Sequence, residues 1–326
     1  MITTLLFGGL SRERLVSTAT AQSIASAIED IEIWHWAEDN HVYMTSLNAL
    51  MAHERPFEFA FRADGVDLGP LEIVLAHNKD RLLVLGLHGG SAENGELQGL
   101  CEANGIAFTG SGSKASQQAF NKNTAKRLVA AAGVPVPARV EAHELRSALS
   151  YYKKLIAKPV ADGSSFGLHF IATDDELTDF MDFSSIDEFL VEPCIPGAEA
   201  TCGVLHHEGR VIALPPVEIV PAEGAFDYNS KYLNSQTQEI CPARFDAKTI
   251  NQIKDLAIKA HTALGCEGYS RTDFIISQDG PIFLETNTLP GLTKASLFPK
   301  SLKVQGIAFS DFLKGQIMLA KQRSGQ

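Results

Sequence analysis

Tyr269-Ser270-Arg271-Thr272-Asp273-Phe274-Ile275-Ile276-Ser277-Gln278-Asp279-Gly280-Pro281-Ile282-Phe283-Leu284-Glu285-Thr286-Asn287 is the stretch on which the fold is decided. Two strand-like runs, Tyr269–Ile276 and Ile282–Asn287, flank Ser277-Gln278-Asp279-Gly280-Pro281, so the segment reads as a β-hairpin. Side chains alternate along a strand, which puts Arg271 and Asp273 on one face of the first run and Glu285 and Asn287 on one face of the second. Pairing symmetric about Asp279 sets Asp273 opposite Glu285. Carboxylates facing each other across a ladder repel, so a cation is expected between them. Three oxygen donors, Asp273, Glu285 and Asn287, suit Mg2+. Arg271 on the same face fits a site that handles phosphate or a developing oxyanion. The plainer alternative is a solvated polar face.

The chain around this hairpin has 326 residues, 45% of them hydrophobic and 21% charged, enough for about two domains or three small ones. That balance excludes a disordered chain, a collagen-like fibre and a small disulfide scaffold. Against 39 Asp and Glu stand 28 Lys and Arg, a formal charge of −11, which repels nucleic acid and anionic membranes. Cys101, Cys194, Cys202, Cys241 and Cys266 are odd in number and form no CxxC pair, so neither disulfides nor a thiolate zinc site is expected. Met1 to Gly9 has no basic leader, and its apolar run is short for a signal peptide. No stretch approaches the roughly 20 apolar residues of a spanning helix. The expectation is a soluble, cytoplasmic protein.

Toward the N-terminus, the strand Ile2–Phe7 breaks at Gly8-Gly9, and Ser11 is placed to cap a helix ending near Ile28. Leu82–Leu87, nearly all apolar, reads as a strand covered on both faces and runs into His88-Gly89-Gly90. Strand-then-glycine turns at both points predict an α/β layer whose loops line a cleft. Glu13 and His88 fall at that cleft end; their plainer roles are a first-turn charge and a hydrogen-bonded structural histidine. A single helix is predicted over 113–132, and another over 247–264. Lys158, inside the apolar strand Leu155–Pro159, needs a counter-anion if buried, and a phosphate would serve. The following Gly163-Ser164-Ser165-Phe166-Gly167 offers amides and hydroxyls to phosphate oxygens. It is neither a Walker A motif nor GxGxxG. The polar segment 222–242 is long for a structureless connection and is expected to be a functional loop.

In this order and spacing, the residues resemble the D-alanine–D-alanine ligase family of the ATP-grasp fold. The resemblance runs from Gly8-Gly9-Leu10-Ser11-Arg12-Glu13 to Leu284-Glu285-Thr286-Asn287-Thr288-Leu289-Pro290-Gly291, almost the whole chain. Its more specific parts are Leu87-His88-Gly89 with Glu93-Asn94-Gly95-Glu96-Leu97-Gln98-Gly99, then Thr109-Gly110-Ser111-Gly112, and Phe226-Asp227-Tyr228 with Lys231-Tyr232-Leu233. It implies an α/β, three-domain ATP-grasp fold: an N-terminal parallel α/β domain over 1–110, a central α+β domain over 111–195, and a C-terminal one over 196–326 that clamps ATP with it. By the same resemblance Lys122, Lys158 and Lys231 contact the phosphates of ATP, and Ser165 lies in the loop that covers them. Glu192 and the Cys194–Ile195 backbone edge the adenine, and Glu199 takes the ribose hydroxyls. Asp273, Glu285 and Asn287 hold two Mg2+ (or Mn2+). Glu13 meets the ammonium of the first D-alanine in a network with Ser164 and Tyr232, and His88 lies near that substrate. Ser296 and Leu297 receive the carboxylate of the second, while Arg271 and the Gly291 amide stabilise the oxyanion. The implied partners are D-alanine, ATP and a second copy of the chain in a homodimer.

The implied chemistry is attack of one D-alanine carboxylate on the γ-phosphate of ATP, then attack of the second amine on the acyl phosphate, for peptidoglycan synthesis. Departures from the family pattern are Ala92, Thr272, Thr286, Pro193, Leu289 and Ala295. They leave two alternatives standing: a paralogous ligase with another second substrate, such as D-serine or D-lactate, and a nucleotide-binding relative without catalysis.

Overall fold

The computed structural model describes residues 1–161, 167–183, 185–221 and 237–324. The predicted loop residues Ser164 and Ser165, and Lys231 and Tyr232 of the long segment, lie outside them.

The first layer is a six-stranded sheet in the order β4-β3-β2-β1-β5-β6, built from β1 (Ile2–Gly8), β2 (Glu32–Trp36), β3 (His41–Thr45), β4 (Val66–Pro70), β5 (Arg81–Leu87) and β6 (Ala107–Phe108). It is parallel only in part. β1 pairs in parallel with β2 and β5, and β5 with β6, whereas β3 and β4 run antiparallel. The reason is local: β2 reaches β3 through a turn closed by Asn40 at φ +66°, too short for a crossover helix. Around this sheet lie α1 (Arg14–Ala25), α2 (Leu47–Ala52), α3 (Leu71–His77) and α4 (Glu96–Asn104). Ser11 stands two residues before the N-cap, which is Glu13: its hydroxyl accepts from the Glu13 amide at 3.1 Å and donates to the His88 carbonyl, 2.5 Å away, and α1 begins at Arg14 and ends at Ala25, short of the expected Ile28.

The region predicted as one helix over 113–132 is two, α5 (Ser113–Phe120) and α6 (Lys122–Ala131). Asn121 breaks it: its backbone is extended and its Oδ1 accepts from the Thr124 amide at 2.9 Å, an N-cap for α6. Next come α7 (Leu145–Tyr152), β7 (Leu155–Pro159), β8 (His169–Ile171), α8 (Asp174–Phe183) and β9 (Phe189–Pro193). The three strands form a small antiparallel sheet, β8-β7-β9, whose core of Leu145, Leu149, Leu155 and Leu177 is closed by α7 and α8.

The third sheet runs β13-β12-β10-β14-β15, with β11 on β10. Its strands are β10 (Ala198–His207), β11 (Arg210–Ala213), β12 (Val217–Val220), β13 (Gln238–Ile240), β14 (Tyr269–Ser277) and β15 (Gly280–Asn287). The helices α9 (Ala247–Ala263), α10 (Leu297–Gln305) and α11 (Phe309–Arg323) complete the chain. Phe274, Phe283, Ala200 and Cys202 face α9 and the helix α6 in one core. On the opposite face Tyr269 meets Phe298 and Phe312, in a core continuous with the first sheet. Arg323 ties the end of α11 to the first layer, donating to the Gly110 carbonyl at 2.8 Å and the Phe108 carbonyl at 2.5 Å.

Candidate active site

The hairpin forms with Asp273 opposite Glu285 and Arg271 opposite Asn287. It reaches that pairing by a route the sequence reading did not contain. The turn is the two residues Gln278-Asp279, because Ser277 pairs with Gly280 and Phe274 with Phe283. Leu284 is then an extra residue on β15, a bulge beside Asp273 and Phe274. A one-residue slip exchanges the faces of everything beyond it. With the bulge, Phe283 stays in the core while Glu285 and Asn287 turn to the polar face beside Asp273. Beneath them Thr272 and Thr286, both buried, join hydroxyl to hydroxyl at 2.9 Å.

Asp273 is 5% exposed and well supplied with donors. Its Oδ1 accepts from Arg271 Nε at 2.9 Å and from the Thr201 hydroxyl at 2.6 Å, and its Oδ2 from an Arg271 terminal nitrogen at 3.0 Å. Thr201 comes from the neighbouring β10, directly opposite Asp273. Glu199, two residues earlier on β10, lies on the same face, paired with Ile275 and Ile219. Glu285 is more open, with Lys122 Nζ 4.0 Å from its Oε2. Asn287 Oδ1 accepts from the Leu289 amide at 2.8 Å and retains a second lone pair.

These residues fit Mg2+. The donors are oxygens from two carboxylates and an amide, adjacent across one ladder, and hard divalent ions take such ligands. Among the described residues no three His, Cys, Asp or Glu side chains converge on a metal position. Arg271 occupies in part the electrostatic role that a cation would take on Asp273.

The second cluster is basic and deeper. Glu192 on β9 is 1% exposed. Lys158 on β7, a diagonal neighbour on the same face, places Nζ 3.2 Å from its Oε2. Its Oε1 receives the ammonium of Lys126. The predicted counter-anion of Lys158 is thus a protein carboxylate. Sequence reasoning missed Lys126 altogether. The signal was available, since Lys122, Ala125, Lys126 and Val129 recur at helical spacing and form the buried face of α6. Burial pulls the Lys126 pKa down to about 8, against the opposing pull of Glu192. Along the strand from Glu192, the Cys194 amide already donates to the Lys154 carbonyl at 3.0 Å.

At the end of the first sheet, Gly89 (φ +70°) lies against Glu13, and a Cβ there would collide with the Glu13 carboxylate. His88 is 5% exposed and both its ring nitrogens are engaged. Nδ1 donates to the Leu289 carbonyl at 3.1 Å, and Nε2 lies 2.8 Å from the Thr20 hydroxyl. The histidine therefore joins the first sheet to the chain leaving β15, a positioning contact and not a free base. Beyond Leu289, the Gly291 backbone closes on Ser296: a Cβ on Gly291 would come 2.8 Å from Ser296 Oγ. Ser296 Oγ accepts from the Thr293 amide at 3.2 Å and lies 2.7 Å from the Thr293 hydroxyl. It stands at the N-cap of α10, whose first residue is Leu297.

The structure thus gathers Asp273, Glu285, Asn287, Arg271, Lys122, Lys158 and Glu192 around the lysine-rich side of the hairpin. Glu13, His88, Gly291, Ser296 and Leu297 collect at the first sheet's cleft end and the chain after β15.

Comparison with known proteins matches residues 3–111 to a family model described as D-ala D-ala ligase N-terminus, and residues 134–318 to one described as D-ala D-ala ligase C-terminus. A D-alanine–D-alanine ligase of Desulforudis audaxviator is 34% identical over 98% of each chain. One from Nitratidesulfovibrio vulgaris is 35% identical over 99% of each. Among solved structures, the VanG D-Ala:D-Ser ligase of Enterococcus faecalis superposes with a TM-score of 0.78 at 28% identity, covering 98% of both chains. The D-alanine–D-alanine ligase of Coxiella burnetii reaches a TM-score of 0.81 at 24% identity, covering 99% of this chain and 94% of its own, a likeness of fold.

Proposed function

The chain belongs to the D-alanine–D-alanine ligase family, and from that premise we infer that it is an ATP-dependent ligase joining two D-alanines through an acyl phosphate, for peptidoglycan synthesis. The observation that carries the reading is the bulged hairpin, which sets Asp273, Glu285, Asn287 and Arg271 on one polar face beside the Lys122, Lys126 and Lys158 cluster. Phosphoryl transfer between two anions needs positioning and charge neutralisation more than covalent help from the protein. A face of this composition supplies both.

In this reading Lys122 and Lys158 take phosphate oxygens, with Ser165 and Lys231 completing the cover. Glu192, the Cys194 carbonyl and the Ile195 amide edge the adenine, and Glu199 takes the ribose. Asp273, Glu285 and Asn287 hold two Mg2+ (or Mn2+), which when bound neutralise charge on the phosphates. Glu13, held against Gly89, orients the ammonium of the first D-alanine, with Ser164 and Tyr232 in the same network and His88 fixing the loop behind it. The first carboxylate attacks the γ-phosphorus, and ADP departs. The second amine then attacks the acyl carbonyl, with Arg271 and the Gly291 amide facing the developing oxyanion and phosphate as leaving group. Ser296 and the first amides of α10, beginning at Leu297, receive the second carboxylate.

We also propose domain limits at 1–110, 111–195 and 196–326, a homodimeric state and a cytoplasmic location. The three sheets support the first. For the second, Leu47, Met51, Phe57 and Phe59 are exposed on the first layer. For the third, no described helix is long and apolar enough to cross a membrane.

The likeness to a D-Ala:D-Ser ligase favours one further reading, D-serine as the second substrate, with Leu289 and Ala295 near the pocket that would choose. Phosphate release from Mg-ATP, with D-alanine alone and paired with D-serine or D-lactate, tests both when the products are weighed. Homodipeptide from D-alanine alone supports the main reading; turnover only with a second acceptor supports the other. Absence of turnover with every pair overturns both.

A further inference from the structure

We propose that Lys126 is a positioning residue for nucleotide binding: it holds the buried Glu192 carboxylate so that Lys158 is released to phosphate when ATP binds. The inference rests on the reading of Lys158 as a phosphate ligand.

The argument is one of charge. Glu192 lies between two ammonium groups, Lys126 on Oε1 and Lys158 at 3.2 Å on Oε2. Lys158 cannot serve a phosphate and Glu192 with equal strength. If Lys158 were the only counter-ion, its move to phosphate would strand a carboxylate that is 1% exposed, and uncompensated buried charge is costly. Lys126 removes that obstacle.

Its placement suits the task. Lys126 comes from a helix, one turn beyond Lys122, and α6 is fastened to the residue that follows the Lys158 strand by the Lys122 amide donating to the Val160 carbonyl at 2.9 Å. The side chain of Lys126 is 8% exposed and hydrogen-bonds Glu192, whereas Lys158 makes only an ion pair and leaves Oε2 without a hydrogen bond, so the hydrogen-bonded pair is the one that stays. Of the two ammoniums on Glu192, the geometry points to Lys158 as the one that moves.

The test is a comparison of Lys126→Met, Lys126→Arg, Lys158→Met, Glu192→Gln and the double variant K126M/E192Q in the full-length protein, reading KM for ATP and kcat separately. K126M should raise KM for ATP on the order of tenfold or more while kcat stays within about threefold. K126R, which keeps the charge, should recover most of the loss. Lys126 acts only through Glu192, so E192Q and K126M/E192Q should share one KM for ATP. A further rise in the double variant means Lys126 touches the nucleotide itself and overturns the positioning role; this comparison also decides the matter if K126M alone does not fold. An unchanged KM in K126M alongside a raised KM in K158M overturns this inference alone. An unchanged KM in K158M overturns the phosphate reading beneath it.

Discussion

Replacing Thr272 by Val removes one of two hydroxyls that satisfy each other under the metal-type ligands. Thr272 is fully buried and Thr286 is 5% exposed, and their oxygens lie 2.9 Å apart. Valine keeps the shape of threonine, so no cavity opens, but the Thr286 hydroxyl is left without this partner. A buried polar group stranded in this way costs about 1–3 kcal/mol. The same holds for Thr286→Val. The double variant T272V/T286V strands neither hydroxyl and replaces the pair by an apolar contact on two adjacent β-strands, where valine is well suited. Its cost should be within about 1 kcal/mol of wild type, so the coupling energy is on the order of the single penalties and opposite in sign to simple addition. The assay is urea denaturation of all four proteins, compared by midpoint at constant slope. Turnover on D-alanine should run alongside, since Asp273 and Glu285 are the sequence neighbours of this pair. A double variant that costs the sum of the two singles refutes the reasoning: the hydroxyls would then be bonded elsewhere and would not hold each other.

Glu285→Gln should abolish ADP formation while leaving the unfolding midpoint close to wild type, because Glu285 is partly exposed and the nearest ammonium among the described residues is 4.0 Å away; wild-type turnover would remove it from the site. Gly89→Ala, which needs φ near +70° and would drive a methyl into Glu13, should raise KM for D-alanine far more than KM for ATP, with about 1–2 kcal/mol lost in stability. Equal effects on the two KM values would detach Glu13 from the amino acid. Burial lowers the His35 pKa from 6.5 to about 4, so the unfolded chain binds the extra proton first as pH falls. Stability is therefore complete above about 6.5 and lost toward 4, and this one group should cost about 2 kcal/mol between pH 7 and 5. His35→Phe keeps a ring against Phe7 and Phe61 and should flatten that dependence in denaturation midpoints; an unchanged slope would show that His35 does not carry it.

Much of the site was legible because strands alternate. Arg271, Asp273, Glu285 and Asn287 share a face as the spacing implied, and the strands at 2–8, 81–87 and 155–159 lie where apolar runs met glycine or proline. The Asp273–Glu285 pair was found through a symmetry that the turn does not have: two errors, an assumed centre at Asp279 and an unforeseen bulge at Leu284, cancel. Bulges respond to sheet twist and core packing, and little in Phe283-Leu284-Glu285 announces one. The Asn121 break could have been read, since Asn before Lys-Asn-Thr is a helix start. The bond from Ser11 to the His88 carbonyl could not, because His88 follows a strand and lies 77 residues away. Lys158 was expected to meet a phosphate and meets Glu192, for the same reason: which anion reaches a buried lysine is decided by tertiary neighbours.

The bulge at Leu284 also governs how this hairpin can change in evolution. Substitutions at the tip, Gln278-Asp279, are separated from the functional end by a point where the two strands re-set their facing. Changes in identity there should pass freely. Changes in length between Phe283 and Glu285 should not, since losing or gaining one residue would send the Glu285 carboxylate into the core and an apolar side chain toward the nucleotide. Descendants of this chain are expected to keep the residue count of that interval even where every neighbouring letter has drifted.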